Sequence, residues 1–127
     1  MGYDVEFLQI PVPPGLSFPV VAETAQSLRH NAISFDDVEC LRTELHNIKG
    51  CRPGPDQTVD FFGRGLNYAR LTISRNRIHV ENNASVPELL KIYRQLTEKY
   101  PTLVILDLQS HQLHDADSFS KWWAKPL

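Results

Sequence analysis

The strongest constraint on the fold of this chain is a pair of alternating segments on either side of Arg75-Asn76. Residues 67–74 and 77–83 alternate apolar and polar side chains, which is the pattern of strands with one buried face. A two-residue turn at Arg75-Asn76 would pair them, since Asn tolerates the positive φ of such turns. Slipping the register by one residue would mix the two faces, so the register is strongly specified. On the apolar side Ile73 then faces Ile78, Leu71 faces Val80 and Ala69 faces Asn82.

The polar side of this hairpin carries the residues that we predict to bind a partner. With the same turn, Tyr68 meets Asn83, Arg70 meets Glu81 and Thr72 meets His79. If the helices cover the apolar side of the sheet, the polar side stays open and contains an aromatic ring. Tyr and Arg are favoured at binding hot spots. The predicted binding residues are Tyr68, Arg70, His79, Glu81 and Asn83.

The same surface also allows a catalytic interpretation. His79 and Glu81 point the same way on one strand, and a His beside a carboxylate can titrate near neutral pH. Cross-strand charge pairing accounts for Arg70 and Glu81 without any reaction. We therefore favour binding, and keep an enzyme or ligand-binding domain that uses His79, Glu81 and Arg70 as the alternative.

Amphipathic helices are predicted on both sides of the hairpin. Residues 35–48 have apolar side chains at the helical period, with Ser34 as the N-cap and Gly50 as the stop. Ser85 caps a second helix that ends at Pro101, with Glu88 on its outward face. A weaker stripe over residues 20–30 indicates a short helix.

The remaining strands define the predicted fold. Residues 3–10 and 58–62 are strand-like, and residues 102–108 form a nearly continuous apolar strand, which predicts burial on both sides. The pattern is that of a ferredoxin-like βαββαβ sandwich with an additional C-terminal helix, in a single α+β domain over residues 1–127. In such a fold a right-handed crossover brings the last strand beside a parallel neighbour.

The C-terminal helix is predicted to be structural. It begins at Asp115 or Asp117 and places Phe119, Trp122 and Trp123 on one face. Aromatic side chains of this kind are typical of a helix that docks on the body of a domain. We expect this helix, or a partner subunit, to cover the apolar last strand.

The polar loop from His111 to Asp117 is a second candidate site. His111, His114, Asp115 and Asp117, with Asp107 just before them, are residue types that can hold a divalent metal. Their spacing lacks the framework of known zinc sites. A polar turn with helix capping is the simpler interpretation, so we predict no metal and no cofactor.

Cys40 and Cys51 are predicted to be free thiols. A helix over residues 35–48 would hold their Cα atoms roughly 16 Å apart at about 1.5 Å per residue, whereas a disulfide needs less than about 7 Å. His46 lies six residues after Cys40, which puts the two on different helix faces and argues against a nucleophile–base pair.

Composition narrows the classes of function. The net charge of −2 argues against a general nucleic-acid binder. Residues 64–71 share only part of the RNA-recognition-motif pattern, because Leu66 stands where a stacking aromatic is needed. The longest apolar run, residues 103–106, is too short to cross a bilayer, and no secretory signal is expected at the N-terminus.

We therefore expect a small cytoplasmic protein without catalytic activity that binds another protein or associates with itself. Its sharpest form is a bacterial immunity or antitoxin-like inhibitor.

Overall fold

The computed structural model describes residues 3–123, without the side chains of Trp122 and Trp123. This part of the chain forms a mixed α+β fold with seven strands and four α-helices. The strands are β1 (Val5–Gln9), β2 (Cys51–Pro53), β3 (Val59–Phe62), β4 (Tyr68–Ile73), β5 (Ile78–Asn82), β6 (Leu103–Asp107) and β7 (Leu113–His114). The α-helices are α1 (Ala22–Arg29), α2 (Val38–His46), α3 (Val86–Lys99) and α4 (Ala116–Trp123).

All seven strands belong to one antiparallel sheet in the order β2-β3-β4-β5-β1-β6-β7. The predicted hairpin is confirmed at every position of its register, from Ala69 opposite Asn82 to Ile73 opposite Ile78. Beyond the paired residues, the Asn83 N–H donates to the Tyr68 carbonyl at 2.8 Å. The alternation of residues 67–83 was therefore sufficient to specify both faces.

The ferredoxin-like prediction is not confirmed, because the order of the seven-stranded sheet differs from that of a four-stranded sandwich. β2, β3 and β7 have no place in a βαββαβ unit. The expected parallel neighbour of the last strand is also wrong, since β6 lies between β1 and β7 and is antiparallel to both.

The sheet separates two hydrophobic cores. The larger core lies under α2, α3 and α4 and takes the apolar side chains of the hairpin. The smaller core lies on the other side of the sheet, where Ala25 and Leu28 of α1 pack with residues of β1, β6 and β7. β6 is buried on both sides, as predicted.

The helix starts show where sequence patterns are imprecise. Ser85 caps α3 as predicted, accepting a hydrogen bond from the Glu88 N–H. The predicted cap of α2 at Ser34 is wrong: Asp37 is the N-cap and accepts from the Cys40 N–H. The Phe35 N–H instead donates to the Arg75 carbonyl at 2.7 Å. This bond holds the segment against the β4–β5 turn, and the helix begins after it.

The start of the C-terminal helix is confirmed. Asp115 precedes α4 and its carboxylate accepts from the Ser118 N–H at 2.8 Å. Phe119 is buried in the larger core. The predicted docking of Trp122 and Trp123 falls on side chains outside the described residues. Among the described helices, none is long and apolar enough to cross a membrane.

Candidate functional site

The candidate site lies on the face of the sheet that also carries α1, over the strands β3, β4 and β5, which α1 does not cover. Strand alternation puts polar side chains of β3, β4 and β5 on this half, opposite the larger core. We call it the open face. It consists of Asp60, Phe62, Tyr68, Arg70, Thr72, His79 and Glu81, with Asn83 just past β5 and Glu6 at the border with β1. All five predicted binding residues therefore lie on one surface.

A carboxylate on β3 organises the centre of the open face. Asp60 lies opposite Arg70, and its Oδ1 accepts from Arg70 Nε at 2.8 Å and from the Tyr68 hydroxyl at 2.9 Å. The hydrogen bond from Arg70 lowers the pKa of Asp60, while burial and the bond to Asp60 raise the pKa of Tyr68. These bonds hold the Tyr68 and Arg70 side chains in one arrangement.

Arg70 lies opposite Glu81 in the sheet as predicted, but the two side chains do not form an ion pair. The two residues face each other across β4 and β5, yet the guanidinium bonds to Asp60 on its other side. Glu81 is exposed and forms no ion pair among the described residues. Its carboxylate is therefore exposed to solvent.

His79 lies among carboxylates of the N-terminal segment. Its Nδ1 is 3.4 Å from Glu6 Oε2, and its Nε2 is 3.7 Å from Asp4 Oδ2. Arg77 Nε also lies 3.4 Å from Glu6 Oε2. The carboxylates next to the His79 imidazole are thus those of Glu6 and Asp4, and not that of Glu81.

Glu6 is the unusual member of this group. Only 6% of the residue is exposed, and its Oε1 is buried without a hydrogen-bond partner among the described residues. Buried acceptors are nearly always paired, so Glu6 is held in place at a cost by its ion-pair partners Arg77 and His79.

Aromatic and apolar side chains form one corner of the open face. The Phe62 and Tyr68 rings lie 5.2 Å apart, and the Arg52 guanidinium carbon is 5.6 Å from the Phe62 ring centre. Phe62 is 47% exposed, and Leu66 at the tip of the β3–β4 loop is 98% exposed. An exposed aromatic ring beside Tyr and Arg is typical of a binding surface.

Sequence reasoning missed Asp60, Phe62 and Glu6. Each lies on a strand that pairs with the hairpin, so its place depends on strand order. The alternation of β3, with Val59 and Phe61 buried, was the available signal for placing Asp60 and Phe62 on the polar side.

The loop from His111 to Asp117 divides between solvent and core. His111 is exposed with φ of 61°, whereas His114 is fully buried and its ring lies 5.4 Å from that of Phe119. Burial lowers the pKa of His114. In the described part of the chain, no three His, Cys, Asp or Glu residues converge in a geometry that could hold a metal ion.

Both cysteines are free, as predicted. Cys51 packs against the larger core, and burial raises its pKa to about 12. Cys40 faces α3, where Lys99 Nζ lies 2.8 Å from its Sγ and 3.2 Å from Glu44 Oε1. The partner of Cys40 is thus a lysine on the next helix.

No protein-family model, no curated protein and no solved structure matches the chain.

Proposed function

We propose that the protein is a non-catalytic binding module that uses the open face to hold a partner protein. The observation that supports this most directly is the half of the sheet that no described helix covers, where exposed Phe62 and Glu81 lie beside the ordered Tyr68–Asp60–Arg70 arrangement. A surface whose side chains are already fixed loses less conformational entropy on binding.

The sharper form of this proposal is a cytoplasmic bacterial immunity or antitoxin-like inhibitor. A single small chain with a mildly acidic balance supports this class. A toxin-like reading frame beside the gene would support it further, whereas a metabolic operon would favour the enzyme alternative.

That alternative assigns chemistry to His79, Glu81 and Arg70, or to the His111–Asp117 loop. The carboxylates nearest to His79 are Glu6 and Asp4, so an acid–base function would centre on the His79–Glu6 pair. A His79→Gln variant that bound its partner normally but lost a turnover would establish the enzyme.

A ferredoxin-like relation is also proposed for part of the sheet. β4, β5, β1 and β6 are consecutive neighbours, and β1 separates β5 from β6. In this proposal β2, β3 and β7 are additions at the two ends of the sheet. The relation decides no function, because one fold supports many.

Photo-crosslinking tests the open face. A benzoylphenylalanine at Thr72, an exposed position on β4, should capture the partner from native extract. The same group at Glu98, an exposed position on α3, is the control. A cross-link at both positions, or at neither, would count against the open face, and a cross-link to a second copy of the chain would identify a homo-oligomer.

A further inference from the structure

We propose that a basic groove beside the β2–β3 edge binds an acidic segment of the partner protein. The inference rests on the proposed binding function and names the chemistry of the partner. The groove has a volume of about 720 Å³ and lies between the end of α2, the β2–β3 edge, the β3–β4 loop and the first turns of α3. We call it the basic groove.

Four of the residues that line the basic groove are cationic: Lys49, Arg52, Arg64 and Lys91. The chain as a whole carries a net charge of −2, so this concentration of positive charge is local. Among the described residues, neither Lys49, Arg52 nor Arg64 lies within 4.0 Å of a carboxylate oxygen. Their charges are therefore available to an anionic ligand.

The only carboxylate that lines the described groove is already engaged. Glu88 was predicted to face water, but only 6% of it is exposed. Its Oε1 accepts from the Arg64 N–H at 3.1 Å and its Oε2 from Lys91 Nζ at 2.8 Å. The bond from Lys91, followed by that from the Arg64 backbone, lowers the pKa of Glu88. Glu88 thus holds the β3–β4 loop in place and forms no ion pair with Lys49, Arg52 or the Arg64 side chain.

Two glycines line the basic groove at positions where a Cβ would have little space. A Cβ at Gly63 would lie 3.2 Å from the Glu88 Cδ, and one at Gly50 would lie 2.5 Å from the Phe62 carbonyl. Gly50 also has φ of +92°, which L side chains rarely adopt. Gly50 therefore needs to be glycine for this arrangement, whereas a side chain at Gly63 would require small shifts of its neighbours.

The remaining walls favour a peptide over a nucleic acid. Phe62, which is 47% exposed and lies under the Arg52 guanidinium, supplies apolar surface beside the cations. Such surface suits a segment in which carboxylates alternate with an apolar side chain. A net charge of −2 is also not the basic balance that is typical of a nucleic-acid binder.

Strand addition is not the mode of recognition. β2 is the edge strand, but Pro53 has no N–H and the Cys51 N–H donates to the Ile48 carbonyl at 3.0 Å. A docking strand needs a row of free backbone donors and acceptors. The acidic segment is therefore recognised by side chains.

Fluorescence anisotropy tests the groove with defined probes at low salt. The probe is a labelled peptide of about ten residues containing Glu, Ala and one central Phe, and its counterpart has Lys at every Glu position. The Glu peptide should bind and the Lys peptide should not. The double variant Arg52→Glu/Arg64→Glu should bind the Glu peptide about tenfold or more weakly, which corresponds to a loss of about 1.4 kcal/mol in binding free energy.

Arg75→Glu is the matched control, because Arg75 is exposed on the β4–β5 turn outside the groove. It should change the affinity less than about twofold. Circular dichroism confirms that each variant is folded, and Lys49→Glu provides a separate test if the double variant is not.

Three results would overturn the groove proposal: no binding of the Glu peptide, an equal loss in Arg75→Glu, or tighter binding of a single-stranded oligonucleotide of matched charge. These outcomes are distinct from failure of the open face. If the peptide binds but nothing cross-links at Thr72, the groove proposal stands and the open-face proposal fails.

Discussion

Replacing Phe119 by Ala tests how firmly α4 is docked. Phe119 is 1% exposed, and its ring lies 5.4 Å from His114 and 6.5 Å from Tyr3. Truncating a fully buried Phe costs about 3–5 kcal/mol, from lost apolar burial and the cavity that remains. Because an isolated eight-residue helix is not stable in water, α4 depends on this contact. We therefore expect the Phe119→Ala variant to lie at the upper end of that range.

The matched control is Phe62→Ala, since Phe62 is 47% exposed and the chemical change is the same. We expect it to cost about 1 kcal/mol, mainly from ring contacts. Urea unfolding followed by circular dichroism compares the two. For a chain of this size, 1 kcal/mol corresponds to about 4 °C, so a loss of about 5 kcal/mol in Phe119→Ala should lower the melting temperature by about 20 °C. Equal losses in the two variants would refute the docking of α4.

Three further predictions concern titration, thiols and capping. Burial lowers the pKa of His114 in the folded protein. The neutral side chain therefore contributes its full stability above about pH 6.5, the unfolded pKa, and this stability is lost as the pH falls toward the folded pKa. His114→Gln should reduce the difference in urea midpoint between pH 8 and pH 5. Burial raises the pKa of Cys51 to about 12, so an aromatic disulfide reagent should modify Cys40 before Cys51 in native protein and both after denaturation; equal native rates would contradict this. Asp37→Ala should cost about 1 kcal/mol by removing the N-cap of α2, whereas Ser34→Ala should cost less in the same urea titration.

The parts of the fold that could be predicted are those with a local cause. The hairpin register follows from alternation, because one residue of slippage would bury Arg70 and expose Leu71. The cap of α3 follows from Ser85 and a following Pro. Both signals lie within a few residues of the structure they produce.

The parts that could not be predicted depend on contacts between distant segments. β2 and β7 have three and two residues, too few to show a period. The start of α2 moved to Asp37 because residues 33–35 bond to other segments, with the Ile33 N–H donating to the Gln9 carbonyl at 2.8 Å. The seven-stranded order follows from such pairings.

The same distinction applies to the candidate site. Tyr68, Arg70, His79 and Glu81 share a face because of local alternation. Asp60 joins them only through the β3–β4 pairing. The outward position predicted for Glu88 failed because the β3–β4 loop, through the Arg64 N–H, covers it.

The most direct test of the open face uses the partner that is identified by cross-linking at position 72. Its affinity is measured for the Tyr68→Ala and Arg70→Ala variants. Both variants should remain folded by circular dichroism, because neither residue lies in a hydrophobic core. A hot spot loses about 2 kcal/mol or more, so each should bind about 30-fold more weakly than the unchanged protein. Arg75→Ala, outside the open face, should bind normally. Folded Tyr68→Ala and Arg70→Ala variants that bind as tightly as the unchanged protein would contradict the account.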